Sequence, residues 1–267
     1  MKKTNTPILA VNQISFSYDR NETIFSNVSF SLNHGEIFTI LGANGAGKST
    51  LLACLERQLK PESGVILLEG ENTAGMSASA LARKVGFISQ VQSIAFEFTV
   101  RDYLVLGRAP HLGMLKLPGK YEYEIVDNVM QQMGITYLAH KSITRISGGE
   151  RQQVQIARVL VQRPKLILMD EPTNHLDYGN QVKVLKMIVA LAEEEKMAIV
   201  ITTHVPDHAI MLGSKVGILD CSGQFIEGSA ESIVTQDNLN RIYQTNLRMV
   251  YVKEVERLTC LACNIRN

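Results

Sequence analysis

Gly42-Ala43-Asn44-Gly45-Ala46-Gly47-Lys48-Ser49-Thr50 sets two glycines, separated by four residues, directly before a lysine and two hydroxyls. Glycines at that spacing let backbone N–H groups turn inward around a phosphate, and a helix starting at the lysine adds positive potential. Lys48 then reaches the β/γ oxygens of a nucleotide and Ser49 can ligate Mg²⁺. A glycine turn ending in a helix cap is the plainer alternative. The apolar strand before the loop and the helical pattern after it favour phosphate binding.

Four further groups carry possible chemistry. Leu166-Ile167-Leu168-Met169 runs into Asp170 and Glu171, which alone is a common strand terminus. Parallel strands deliver active-site groups from their carboxyl ends, so such a strand beside the phosphate loop brings Asp170 near Mg²⁺ and Glu171 near an attacking water. Ser147-Gly148-Gly149 offers a hydroxyl, close-approach glycines and a helix N-terminus, either a second anion site without a lysine or a simple cap. Gln90 follows a strand, where its amide can touch Mg²⁺ or the attacking water unless it is an ordinary surface glutamine. His204 follows Ile201-Thr202-Thr203 and can donate to a γ-phosphate.

Other spacings are weaker. His204 and His208 stand four apart like a helical metal pair, but Pro206 lies between them and no glutamate base or third ligand accompanies them. Cys260 and Cys263 are half of a zinc site, and with Cys54 and Cys221 they read as free thiols.

These groups need elements to hold them. Ile8–Tyr18 and Asn27–Leu41 read as strands, the latter running into the glycines. Leu51, Leu52, Leu55 and Leu59 have helical spacing that Pro61 stops. Val65–Leu68 and Val85–Ser89 read as strands, and Thr99–Met133 as mostly helical with a broken middle. After Ser147 come a helix, the strand Leu166–Asp170, a helix around Val182–Leu191 and the strand Ala198–Thr203. Val216–Leu219 and Gln224–Ile226 suggest two short strands, then amphipathic pieces from Ala230 to Tyr243. Strands alternating with helices predict an α/β fold with a mostly parallel sheet.

Composition narrows the class. The 267 residues suit one α/β core with an insertion, and 45% hydrophobic with 20% charged residues is ordinary globular usage. The 27 Lys and Arg nearly balance 26 Asp and Glu, so no basic field gathers nucleic acid. No apolar run approaches the ~20 residues that span a bilayer. Lys2 and Lys3 resemble a signal-peptide start, but Thr4-Asn5-Thr6-Pro7 interrupts it, so a cytosolic chain is expected.

With Asn174-His175-Leu176-Asp177 and Ile146-Ser147-Gly148-Gly149-Glu150-Arg151-Gln152, the set resembles the ATP-binding-cassette ATPases, in order, from about Ile8 to Tyr243. Ile146 replaces the family's commoner leucine, a near-isosteric change. The resemblance implies a P-loop NTPase core with a mostly parallel sheet, an N-terminal antiparallel β part and an inserted helical subdomain at about 91–160, all within a domain of residues 1–255 followed by a tail from 256. It implies ATP and Mg²⁺, with Ser49, Gln90 and Asp170 on the metal and Glu171, His204 and Gln90 as catalytic groups. Gly42, Ala43, Asn44, Gly45, Ala46, Gly47, Lys48, Ser49, Thr50, Ser147, Gly148, Gly149 and Asp177 would bind the nucleotide, with Tyr18, or in competition Phe16, stacked on adenine.

The family also implies an ATP-dependent head-to-tail homodimer at the cytoplasmic face of the membrane, two integral-membrane permease subunits and, indirectly, a substrate-binding protein. Phe98-Thr99-Val100-Arg101-Asp102, Leu106-Gly107-Arg108-Ala109-Pro110-His111-Leu112 and Pro172–Gln181 are similar to the branch importing iron-siderophores, cobalamin and other metal chelates, haem and molybdate cargoes included. A soluble ATPase of cofactor assembly, repair or translation, or an exporter cassette, is the alternative. Phe96, Phe98 and Tyr103 read either as a surface for a membrane partner or as core.

Overall fold

A computed structural model describes residues 6–19, 22–89, 96–113 and 116–263; Gln90 lies outside them. In chain order the first elements are β1 (Leu9–Ser17), β2 (Thr23–Leu32), β3 (Ile37–Leu41), α1 (Lys48–Leu55), β4 (Ser63–Leu68) and β5 (Glu71–Asn72). There follow α2 (Ala78–Lys84), β6 (Val85–Ile88), α3 (Val100–Val105), α4 (Lys120–Gln132), α5 (Gly148–Gln162), β7 (Leu166–Asp170) and α6 (Tyr178–Glu193). The last are β8 (Ala198–Thr203), α7 (Pro206–Met211), β9 (Lys215–Leu219), β10 (Phe225–Ser229), α8 (Ala230–Ile233), α9 (Gln236–Tyr243), β11 (Leu247–Val252) and β12 (Arg257–Ala262).

The chain divides into two compact units: Gly75–Met187, and the residues on either side of it. In the latter, β1 pairs antiparallel with β2 (Leu9↔Leu32) and with β4 (Leu9↔Leu68), forming the N-terminal antiparallel part. A second sheet is built on β3, parallel to β8 (Leu41↔Thr203) on one side and to β9 (Leu41↔Ile218) on the other. All five residues of β3 and all six of β8 are buried. Such unbroken apolar runs belong to strands covered on both faces. In Gly75–Met187, β6 and β7 are parallel (Ile88↔Met169), with α2 before β6 and α3 to α5 between the two strands in sequence. Within that unit, α3 and α4 are tied by the Arg101 guanidinium, which holds both carboxylate oxygens of Asp127 at 2.7 and 2.8 Å.

Three local outcomes differ from the sequence pattern. The run Asn27–Leu41 is two strands in different sheets, because the chain turns at Asn33–Glu36, where Gly35 takes φ +76°. Helix α1 ends at Leu55, four residues before Leu59. Arg57 adopts φ +63°, and the Arg57 and Gln58 amides donate back to Cys54 and Ala53, closing the helix before Pro61 is reached. Residues 257–262, in the expected tail, form β12, paired along its length with β11 (Leu247↔Ala262). Leu247, Met249 and Cys260 of this hairpin pack on a core of Val216, Ile218, Leu239 and Ile242. Among the described residues no helix is long and apolar enough to cross a membrane.

Candidate nucleotide site

The phosphate loop leaves the buried end of β3 and enters α1 through Gly47, whose φ of +94° makes it a left-handed cap. A Cβ there would sit 2.5 Å from Ile24 Cγ2, so glycine is demanded by both torsion and space. No side chain caps α1, and no acid stands in its first turn. The positive end of the helix therefore keeps its potential for an anion. Lys48 is buried, and its ammonium folds across the loop to donate to the Gly42 and Ala43 carbonyls, 3.0 Å each. Ser49 is exposed beside it.

Two further predicted residues gather at this loop. Tyr18 is 61% exposed and its hydroxyl lies 3.2 Å from Thr50 Oγ1, whereas Phe16 is buried and stacks on Phe25 at 6.1 Å. Of the two competing rings, only Tyr18 presents a face to solvent. His204 follows β8 by one residue. The Gly42 amide donates to the Thr203 carbonyl at 3.3 Å, so the histidine begins where the phosphate loop begins. His208 is buried on α7, which starts at Pro206, and so it shares no helix with His204.

In Gly75–Met187, Asp170 ends β7 and Glu171 follows, both buried. Glu171 takes φ +45°, a left-handed conformation that a non-glycine residue adopts only when its surroundings impose it. Those surroundings include Asn174, whose amide nitrogen donates to Glu171 Oε2 at 3.3 Å and whose N–H donates to the Glu171 carbonyl at 3.0 Å. Ser147 caps α5 reciprocally: its Oγ accepts from Glu150 N at 3.2 Å, and Glu150 Oε2 accepts from Ser147 N at 2.8 Å. Those bonds, the backbone one foremost, hold the Glu150 carboxyl below its usual range, helped by Lys141 at 3.7 Å. Gly149 is packed so closely on Asn180 that a Cβ would meet its amide at 2.8 Å. Asn180 is itself held by Asp177, whose two oxygens accept from its backbone and side-chain nitrogens at 2.9 and 2.6 Å. Asp177, predicted at the nucleotide, thus caps α6 and buttresses Gly149.

This loop-and-strand arrangement has close counterparts. Residues 25–174 match the ABC transporter family. The chain belongs to that family. Along 88% of its length this ABC ATPase is 33% identical to the molybdate import ATP-binding protein MolC of Haemophilus influenzae, covering 87% of it. It is 32% identical, over 86% of its length and 85% of the relative, to the ferric enterobactin transport ATP-binding protein FepC of Escherichia coli. A solved inward-facing structure described as a metal-chelate type ABC transporter matches 97% of this chain and 98% of its own, with a TM-score of 0.86 and 31% identity. The ABC ATPase thus has the P-loop NTPase fold, binds ATP and is an ATP-hydrolysing enzyme.

Sequence reasoning passed over several residues that shape the ABC ATPase site. Asn174, Asn180 and Glu150 do so by local bonds that cap and turn motifs make readable. Thr203, whose carbonyl accepts from the Gly42 amide, has no motif to mark it. The aromatic trio divides: Phe96 and Phe98 are exposed, while Tyr103 is core, its hydroxyl accepting from Arg158 at 2.8 Å.

Proposed function

We propose that the chain is the ATP-hydrolysing subunit of an importer for a metal chelate or related oxyanion cargo, driving two separate permease subunits at the cytoplasmic membrane face and fed by a substrate-binding protein. The observation that carries this reading is the uncapped, acid-free N-terminus of α1 behind a buried lysine, in a chain whose relatives are named for molybdate import and ferric enterobactin transport.

The Lys48 loop holds the β- and γ-phosphates and Tyr18 stacks on adenine. Ser49, Asp170 and Gln90 are the oxygen donors that suit Mg²⁺, which spreads charge over the phosphate oxygens when bound. Glu171 orients or deprotonates the attacking water, and His204 donates to the γ-phosphate as charge develops. Ser147 keeps one O–H hydrogen to donate while its oxygen caps α5, so a second copy, head to tail, presents Ser147-Gly148-Gly149 to that phosphate. ATP then joins two copies and hydrolysis parts them, the switch that moves the permeases.

Glu171→Gln tests the reading. Hydrolysis should fall by at least about 100-fold with ATP affinity retained, and the variant should sediment as a dimer with ATP. Cells without the gene should lose accumulation of the radiolabelled chelate, restored by the parental chain and not by Glu171→Gln. Parental turnover, or a monomer at saturating ATP, would overturn the assignment.

A further inference from the structure

The peptide group between His204 and Val205 is anchored at both ends. Its carbonyl oxygen accepts from the Tyr243 hydroxyl at 2.7 Å, across 39 residues of chain. Its N–H donates to Thr203 Oγ1 at 3.1 Å. That oxygen lies 3.3 Å from Nδ1 of buried His208. Burial first, then the neighbouring His204, pushes the His208 pKa down, and in the Nε2–H tautomer of the neutral ring Nδ1 accepts the threonine proton. The flanking backbone is constrained too. Thr203 is paired in β8 and tied to Gly42, and Pro206 fixes its own φ and confines Val205 to extended torsions (φ −105°, ψ 110°).

A histidine that follows a strand by one residue is aimed by the peptide plane that leaves it. With β8 fixing what comes before and Pro206 what comes after, the 204–205 plane is the remaining backbone freedom, and Tyr243 holds its oxygen. We propose that Tyr243 is a positioning residue for His204, its hydroxyl setting the direction of the imidazole without touching nucleotide. Packing does not require that hydroxyl. Tyr243 ends α9, whose buried Leu239 and Ile242 face the core, and the ring alone serves that contact. The same loop is tied again at Asp207, which accepts from Arg257 at 3.1 Å and from the Cys260 N–H at 3.4 Å. The C-terminal elements therefore brace the segment that carries His204 on two sides. The inference rests on the reading of His204 as a γ-phosphate donor.

The test is a double-mutant cycle on the full chain, reading steady-state ATP hydrolysis, ATP affinity and melting temperature. Tyr243→Phe should lower kcat about tenfold with KM for ATP within about twofold of parental, because aim toward the developing charge is lost and ground-state binding is not. In a His204→Ala background, where there is no imidazole to aim, Tyr243→Phe should have no further effect on kcat. Parental kcat in Tyr243→Phe while His204→Ala is inactive overturns the positioning role and leaves the reading of His204 standing. An equal loss with and without the imidazole, or a loss carried by KM or by unfolding, also overturns it. Parental kcat in His204→Ala removes the γ-phosphate reading and this inference with it.

Discussion

Helices α1 and α5 both begin at glycine-rich segments that sequence marks as anion sites, and their N-termini are built in opposite ways. Gly47 gives α1 a cap with no side chain and a first turn with no acid, behind a buried ammonium. Ser147 and Glu150 give α5 a closed capping box with a carboxylate at its positive end. The first end stays open to an anion within its own unit. The second has its Ser147 and Glu150 amides bonded within the box and a carboxylate at its positive end, and what it presents outward is one hydroxyl hydrogen and two exposed residues, Ser147 and Gly148. The contrast fits the proposed division of labour, in which α1 grips a nucleotide and α5 completes a site held by a second copy.

The comparison breaks most visibly at Lys48. Lys48→Ala should weaken ATP binding by about 100-fold, ~2.7 kcal/mol, and abolish turnover while circular dichroism stays parental. Isothermal titration with a non-hydrolysable ATP analogue checks it, and retained affinity would show that α1 is not the grip.

The effect at α5 should be smaller and of another kind. Ser147→Arg should leave ATP affinity within about twofold, lower hydrolysis at least about tenfold, and return Glu171→Gln to a monomer in sedimentation with ATP. Losing the cap alone costs about 1 kcal/mol of stability, which does not reduce turnover in protein that stays folded. Weakened nucleotide binding instead would make α5 a second grip and remove the contrast.

How much of this was legible in sequence follows the range of the interactions. Strands β7 and β8 have the bounds read from the sequence, because the continuous buried runs Leu166–Met169 and Ala198–Ile201 mark them. The phosphate loop was legible because its glycines and lysine are contiguous. Tyr18 over Phe16 was not decidable from spacing alone; the Phe25 contact that buries Phe16 settles which ring is open. The β11–β12 hairpin left no mark, since its turn at Lys253–Glu256 contains no glycine or proline and Glu256 takes φ +50° unannounced. Tyr243 and Arg257 reach back 39 and 50 residues, beyond any periodicity. The early end of α1 depends on Arg57 accepting a left-handed turn, which no residue preference foretells.

The smallest effect sharpens the contrast most directly, at Glu150. Its carboxylate is the charge that α1 lacks, and the bonds from Ser147 hold its pKa below the usual carboxylate value. A carboxyl with a depressed folded-state pKa stabilises the native state at pH values above its unfolded pKa, and that contribution fades as pH falls through the folded pKa. Glu150→Gln keeps the hydrogen-bonding reach and removes the charge. At pH 7 it should lower stability by about 0.3–0.5 kcal/mol, since the group is well solvated and screening trims the helix-end interaction. As pH drops through the lowered folded-state pKa, the parental carboxyl protonates and the two proteins should converge. Urea midpoints taken from pH 7 down to pH 3.5 measure this. Convergence assigns the difference to charge at the positive end of α5. A gap that persists at low pH assigns it to packing and hydrogen bonding, in which case charge at the helix end is not what sets α5 apart from α1.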